Sequence, residues 1–302
     1  MASAEDPRQA LGAHMAAELE SQPDVWQQAV DLTAERDVLP TRGQRIAVVG
    51  CGTSWFMAQA YANLRERGGH GITDAYAASE AFIDRDYDAI VAITRSGTTT
   101  EVLELLDAAR GRVRTVGIVG DPNTPLVDLA DDVVKLPFAD EQSVVQTRFA
   151  TTALAFLRAG LGEDLSTVIA QGRDAVALPL DDALVDADQY SFLGAGWTVG
   201  LAHEAALKMR EASQSWTESY PAKEYRHGPI AIAAPNRVTW MFGEAPAGLA
   251  DDTRATGAHF EQRAVDGMAD LVRAQRVALE RARRRDLDPD QPRNLTRSVI
   301  LG

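Results

Sequence analysis

A single cysteine, Cys51, stands in the 302 residues, so no internal disulfide can form. A reducing, cytoplasmic setting is the simpler expectation for such a chain. No run of about 18 apolar residues is present, which argues against a helical membrane span. The opening MASAEDPRQA lacks the apolar stretch of a signal peptide. Only five histidines occur, and no His/Cys/Asp cluster has metal-ligand spacing, so neither a metal nor a cofactor is expected. Positive charge is scarce as well: 30 Lys and Arg against 44 Asp and Glu leave a net charge of −14. That balance disfavours a sequence-independent nucleic-acid binder, whose affinity needs cations against phosphates. A small anion is still compatible with it, because backbone N–H groups and hydroxyls at a helix start can hold one on an acidic protein. The dense basic run from Arg281 to Arg285 reads as a solvated helix end whose cations complement the C-terminal dipole.

What is present has the balance of a soluble globular protein, 45% hydrophobic and 25% charged. The length suits about two domains of ~150 residues. Residues 1 to about 40 read as helical. RIAVVGCGTS is then a strand entering a Gly-rich turn, and WFMAQAYANLRERGG is a helix stopped by two glycines. DAIVAITRSGTTTEVLELLDAARG repeats that plan. RTVGIVGDPNTPL and DDVVKLPF supply a third and a fourth strand, and EQSVVQTRFATTALAFLRAGL reads as one long helix. Strands alternating with helices predict an α/β fold with a parallel sheet covered on both faces. QYSFLGAGWTVGLAHEAALKMREAS restarts the pattern and RVTWMFGEA adds a strand, so the second half looks like a shorter, degenerate copy. The expected organisation is therefore two doubly wound parallel-sheet subdomains, residues 1–180 and 181–302, with an N-terminal helix and an extended C-terminal tail.

Two strand ends in the first half carry hydroxyl clusters: Gly50-Cys51-Gly52-Thr53-Ser54 and Thr94-Arg95-Ser96-Gly97-Thr98-Thr99-Thr100. Orphan N–H groups and the positive dipole end of a helix point outward there, and glycines let the backbone approach an oxyanion. Ser and Thr at a helix start are also ordinary N-caps, so one cluster alone is a weak signal. Two at successive strand ends of one sheet favour an anion site. Neither is a P-loop, and GCGTSW lacks the third glycine of a dinucleotide fingerprint.

The stretch ESYPAKEYRHGP, residues 218–229, concentrates proton-transfer groups beside a rigid turn. With Glu211, it places three carboxylates and His227 within seventeen residues, and a carboxylate with an imidazole is a minimal acid–base pair. Glu218 and Glu224 are expected to form surface pairs with Lys223 and Arg226. His203 is expected as a plain helix or core histidine, and Cys51, Trp216 and Tyr220 as packing residues.

Taken in order, GCGTS, ASEAF, TRSGTTTE, HEAALKMRE, ESYPAKEYRHGP and DQPRNLTRSV resemble the sugar isomerase (SIS) domain family. Within it they are most similar to the branch that holds the isomerase half of glucosamine-6-phosphate synthase and the SIS-type amino-sugar phosphate deaminases. The resemblance covers roughly residues 45 to 302 and leaves the synthase's glutaminase domain without a counterpart. It implies two SIS-type, flavodoxin-like subdomains. It implies phosphate on Ser54, Ser96 and Thr99, with help from the Gly52-Thr53 and Thr94-Arg95 segments, and Val144 and Gln146 bordering the sugar. Glu211 would be the general base at sugar carbon 2. His227 would open the ring from a neighbouring subunit, so a homodimer is implied. Glu204 and Arg293 would be scaffold positions.

Two positions depart from the family pattern. Arg95 stands where Gln is usual. Arg297 stands where the motif usually has a lysine able to form a Schiff base. Arginine stays protonated and cannot serve as an amine nucleophile, although it can stabilise an enolate. Loss of the carbon 2 proton leaves three fates for the enolate: isomerisation, deamination or elimination. Arg297 leans the expectation towards elimination of water from an N-acetylhexosamine 6-phosphate such as N-acetylglucosamine 6-phosphate. The alternatives are an isomerase or deaminase acting on glucosamine 6-phosphate or fructose 6-phosphate, and, in another class, a non-catalytic phosphosugar sensor.

Overall fold

The computed structural model describes residues 7–301. They form two compact units, each on its own parallel sheet. The expected division after residue 180 separates the two sheets in chain order, whereas the compact units interleave. One takes residues 22–140, 148–169 and 297–301; the other takes 7–21, 141–147 and 170–296.

After α1 (Ala13–Asp31), the five-stranded unit runs through β1 (Ile46–Gly50), α2 (Thr53–Arg67), β2 (Thr73–Ala77) and β3 (Ala89–Thr94). It continues with α3 (Thr100–Ala109), β4 (Arg114–Val119), α4 (Leu126–Leu129), β5 (Asp132–Lys135) and α5 (Arg148–Gly160). The strand order is β2-β1-β3-β4-β5, all parallel. β1 and β3 are buried along their whole length, as strands covered on both faces must be. On α3 the buried positions Val102, Leu105, Leu106 and Ala109 follow the helical repeat and make one apolar stripe. β2, which the sequence reading missed, is an edge strand with only Thr73 fully buried. Such a strand has no continuous apolar run to betray it.

The four-stranded unit follows with α6 (Ser166–Ala177), α7 (Asp182–Val185), β6 (Gln189–Gly194), α8 (Thr198–Ser213) and β7 (Thr217–Pro221). β8 (Arg237–Phe242), α9 (Leu249–Ala255), β9 (His259–Gln262) and α10 (Gly267–Arg284) complete it. The order β7-β6-β8-β9 repeats that of the first four strands of the other sheet, which bears out the degenerate second copy. β7 and β9, both edge strands, were also missed, and β7 takes the first four residues of ESYPAKEYRHGP. A buried polar network ties α10 to β8 and β9. Trp240 Nε1 donates to Asp270 Oδ2 at 2.9 Å, and Arg273 bridges Asp270 (2.8 Å) and Glu261 (2.6 Å).

Residues 141–147 are not the start of a long helix, as the sequence had suggested; α5 begins only at Arg148. Two buried carboxylates hold the segment as a loop. Glu18 accepts from Gln142 N at 2.5 Å, and Glu141 accepts from Thr147 N at 2.5 Å and its hydroxyl at 2.9 Å. The tail beyond α10 has no helix or strand, yet it is fixed from its start. Asp288 accepts from Gly12 N at 3.0 Å, and Asp290 from His14 N at 2.8 Å and Met15 N at 2.9 Å. These carboxylates satisfy orphan donors at the start of α1.

Candidate active site

In the 2-1-3-4-5 strand order, the chain leaves β1 towards one side of the sheet and β3 lies on the other. Ligands of open α/β sheets bind at that switch point, outside the carboxyl ends of the strands. Both hydroxyl clusters lie there. After β1, Gly52 turns the chain with φ 53° and ψ −121°, a conformation L side chains avoid. Thr53 and Ser54 then open α2 and are buried. Gly52, a glycine, is the N-cap of α2. After β3, Thr94 Oγ1 accepts from Gly97 N at 3.3 Å and Ser96 Oγ from Thr98 N at 3.2 Å, shaping a tight turn. Thr99 sits at the N-cap of α3 but makes no side-chain capping bond. The hydroxyls at these two helix starts therefore do not act as the N-caps that were the bland alternative. In the other unit the equivalent place is occupied differently: Thr198 Oγ1 bonds Ala195 and Phe242 O, and no hydroxyl cluster is found.

The end of the tail lies on the β3–α3 loop. Thr98 Oγ1 donates to Ser298 Oγ at 3.1 Å, Thr100 N to Val299 O at 3.2 Å, and Leu301 N to Thr100 Oγ1 at 2.9 Å. Arg95 is buried, and its Nη2 donates to the Arg297 carbonyl at 2.7 Å. The Arg297 guanidinium reaches both carboxylate oxygens of Asp140, at 2.5 and 2.7 Å.

The carboxylates of the other unit are organised on α8. Glu204, Lys208 and Glu211 stand at i, i+4 and i+7, along one stripe of the helix. Glu204 and Lys208 are buried, with Lys208 Nζ 3.6 Å from Glu204 Oε1. Nζ also donates to Glu211 Oε2, while Glu211 Oε1 has no hydrogen-bond partner among the described residues. Burial opposes the charge on Lys208, but Glu204, Glu211 and Glu141 together outweigh it and lift the ammonium above its ordinary range. Glu211 is half-buried and lines a cleft of about 420 Å³ with Leu207, Arg210, Gln214, Arg293 and Asn294. This brings Glu211 together with the tail's Arg293, which the resemblance had offered only as a scaffold position. Lys208 was missed. Its signal was available in the i, i+4 and i+7 spacing of Glu204, Lys208 and Glu211, but its burial was not.

His227 ends a 3₁₀ turn, Glu224–His227, and is exposed; it is not among the residues lining the Glu211 cleft. Tyr225 anchors the turn from within, fully buried with its hydroxyl 3.1 Å from Thr239 Oγ1. The expected surface pairs take other partners: Arg226 pairs with Asp252, and Glu218 accepts from Tyr220 at 2.9 Å. Val144 and Gln146 are half-buried in the loop that Glu18 and Glu141 hold.

Other expectations divide. His203 Nδ1 bonds Ser219 Oγ at 2.8 Å, and burial followed by Arg210 lowers its pKa, as suits a neutral packing histidine. Cys51 packs against the core of its unit, and burial, then Glu101, push its thiol up to about 11. Trp216 is 75% exposed, so its assignment as a packing residue fails. The basic run is not simply a solvated helix end. Arg281 is buried and bonds Val185 O and Ser215, Arg283 bonds Leu11 O, and Arg284 pairs with Asp182 and Asp186. Among the described residues no group of three or more His, Cys, Asp or Glu could hold a metal ion, and no helix is long and apolar enough to cross a membrane.

Comparison with known proteins adds the following. Residues 41–159 match the SIS domain family. The chain is 27% identical over 316 residues to the isomerizing glutamine–fructose-6-phosphate aminotransferase of Gloeobacter violaceus, covering 85% of this chain and 52% of that protein. It is 30% identical over 213 residues to the enzyme of that name from Campylobacter jejuni, covering 62% and 36%. The chain thus spans about half the length, or less, of these curated relatives. Among solved structures, glucosamine-6-phosphate deaminase of Thermotoga maritima superposes with a TM-score of 0.82 at 24% identity, covering 94% of this chain and 99% of that one. The C-terminal domain of glucosamine-fructose-6-phosphate aminotransferase from Francisella tularensis gives 0.79 at 21% identity, covering 95% and 100%. These likenesses at low identity establish a shared fold. The β1 and β3 loops both lie inside residues 41–159, the part of the chain that matches the SIS domain.

Proposed function

We propose that this protein is a phosphosugar enzyme of the isomerase or deaminase type, which removes the carbon 2 proton of a hexose or amino-sugar 6-phosphate. The observation that carries the reading is Glu211: a carboxylate in an open cleft, one oxygen held by a buried ammonium and the other without a hydrogen-bond partner among the described residues. The names of the similar proteins, an isomerizing glutamine–fructose-6-phosphate aminotransferase and a glucosamine-6-phosphate deaminase, support it. The 6-phosphate is assigned to the β1 and β3 loops, to Ser54, Ser96 and Thr99. Ring opening exposes an aldehyde at carbon 1 and acidifies the proton on carbon 2, and His227 of a neighbouring subunit is assigned that step. Glu211 takes the proton, leaving an enediolate, and returns it to carbon 1 to give the ketose. With an amino group on carbon 2, the same transfer gives an imine, which water hydrolyses to ketose and ammonia. Lys208 keeps Glu211 in place throughout, since its charge is compensated by Glu204 on the far side.

A second reading rests on Arg297. No Schiff base can form on it, and its guanidinium is committed to Asp140. With an N-acetylated substrate, the carbon 2 carbanion expels the 3-hydroxyl as water, giving an unsaturated sugar.

One experiment separates these. The protein is incubated in D₂O with fructose 6-phosphate, glucosamine 6-phosphate or N-acetylglucosamine 6-phosphate and followed by NMR, beside Glu211→Gln. Deuterium entering at carbon 2 or carbon 1 with interconversion supports the first reading, and a new alkene signal supports the second. Binding without exchange on any of the three moves the protein to the sensor class. Mixing Glu211→Gln with His227→Ala subunits is expected to restore part of the activity if His227 acts across a dimer.

A further inference from the structure

The two departures from the SIS pattern meet in the fold. Arg95 and Arg297 are 202 positions apart in the sequence, yet the Arg95 side chain holds the backbone carbonyl of Arg297 at 2.7 Å. The side chain of Arg297 in turn grips Asp140. Asp140 is itself secured, because its carbonyl accepts from Arg148 Nε at 3.1 Å at the first residue of α5. Gly120 makes room for it: a Cβ there would lie 3.3 Å from Asp140 Oδ1. Besides Asp140, residues 297–301 contact Arg95, Thr98 and Thr100, in the β3–α3 loop and at the first residue of α3.

We propose that Asp140 and Arg95 are positioning residues that latch Arg297, and the tail behind it, onto the β3–α3 loop. Residue 297 then serves as a fixed charge beside the bound phosphosugar and not as an amine nucleophile. The proposal rests on reading that loop as the substrate's phosphate site. The chemistry of the pieces fits the role. A guanidinium keeps its charge at any working pH and reaches further than an ammonium. Arg95, Arg297 and Asp140 sum to one positive charge, so the latch leaves the loop attractive to a dianion while the tail stays ordered. Arg95 acts on the backbone of residue 297, so it is a second hold on the tail beside the Arg297–Asp140 pair.

The test joins two readouts on the full chain: amide hydrogen exchange of residues 97–101 and 296–301, and binding of fructose 6-phosphate by calorimetry. Asp140→Asn and Arg297→Met are each expected to raise exchange in both segments about tenfold or more and to weaken fructose 6-phosphate about tenfold. Arg297→Lys and Asp140→Glu are expected to show less than half of each effect, since a pair can still form. Unchanged exchange in Asp140→Asn, with melting behaviour like that of the wild type, overturns the latch. Raised exchange with unchanged binding overturns the positioning role. Failure of the wild type to bind any hexose 6-phosphate overturns the phosphate-site reading and the positioning role with it, while the exchange data still decide whether the latch exists.

Discussion

Lys208→Met tests the electrostatic centre of the candidate site. The substitution keeps the bulk of the side chain and removes only the ammonium. It takes the ammonium from beside Glu204, a fully buried carboxylate whose Oε1 lies 3.6 Å from Nζ. At that separation and an effective dielectric of about 20, the attraction is about 4–5 kcal/mol. Losing one partner of a buried pair costs about 3–5 kcal/mol, and the same range is expected here from urea unfolding at constant slope. That is a large share of a typical total stability of about 5–15 kcal/mol, so the measurement belongs near 10–15 °C, where stability is greatest. Adding Glu204→Gln removes the buried negative charge, and the double variant is expected to regain about 2 kcal/mol. The pH dependence has a definite sign. Lys208 is raised in the folded state, so its contribution is complete below the unfolded lysine value of about 10.4 and is lost as pH rises through the higher folded value. The gap between wild type and variant is therefore flat from neutral pH to about 10 and narrows only above it. Proton exchange at substrate carbon 2 is expected to fall by about tenfold or more as Glu211 loses its donor. A loss below about 1 kcal/mol, or a double variant no more stable than the single, would refute the buried-triad reasoning.

Asp270 carries a second pH signature. Burial pushes its carboxyl up to about 6 despite the bonds from Trp240 and Arg273. The folded state thus binds more protons between about pH 4 and 6, so this site's contribution is complete below about pH 4 and is lost as pH rises through 6. Relative to Asp270→Asn, wild-type stability should drop by about 3 kcal/mol across that window, and a carboxyl resonance titrating near 4 would contradict it. Cys51, raised from 9.0 to about 11, should react with iodoacetamide about 100-fold more slowly than a free thiol at the same pH; a rate within tenfold would show that the thiol is not buried as described. Gly97 has φ +61°, and an added Cβ would fall 2.0 Å from Thr124 Oγ1. Gly97→Ala should cost at least about 2 kcal/mol, the left-handed penalty plus displacement of Thr124, and should weaken fructose 6-phosphate binding; a change below about 0.5 kcal/mol would remove the steric argument.

Part of the candidate site was legible because its signals are local. Glycine and hydroxyl residues directly after an apolar strand announce a helix start, and both such starts lie at the switch point of the five-stranded sheet. Glu211 and His227 came from motif spacing; the structure puts Glu211 in a cleft with Arg293 and leaves His227 exposed on a turn. What escaped was non-local. Nothing in EQSVVQT shows that Glu18, more than 120 positions earlier, would hold this segment out of a helix. Trp216 looked like packing material because aromatic residues usually pack, but it directly precedes an edge strand and is exposed.

The sequence by itself determined the class of fold, the central strands and the order of the copies. Continuous apolar runs such as IAVV and AIVAI can only be satisfied between two covered faces. It also determined that position 297 cannot act as an amine. Tertiary structure alone decided where the edge strands β2, β7 and β9 form, because half-exposed strands take their shape from a neighbour's backbone and not from their own pattern. It decided that Lys208 would be buried between two acids and that Arg95, Asp140 and Arg297 would meet. A charge's surroundings are set by residues distant in sequence, and no local propensity encodes them.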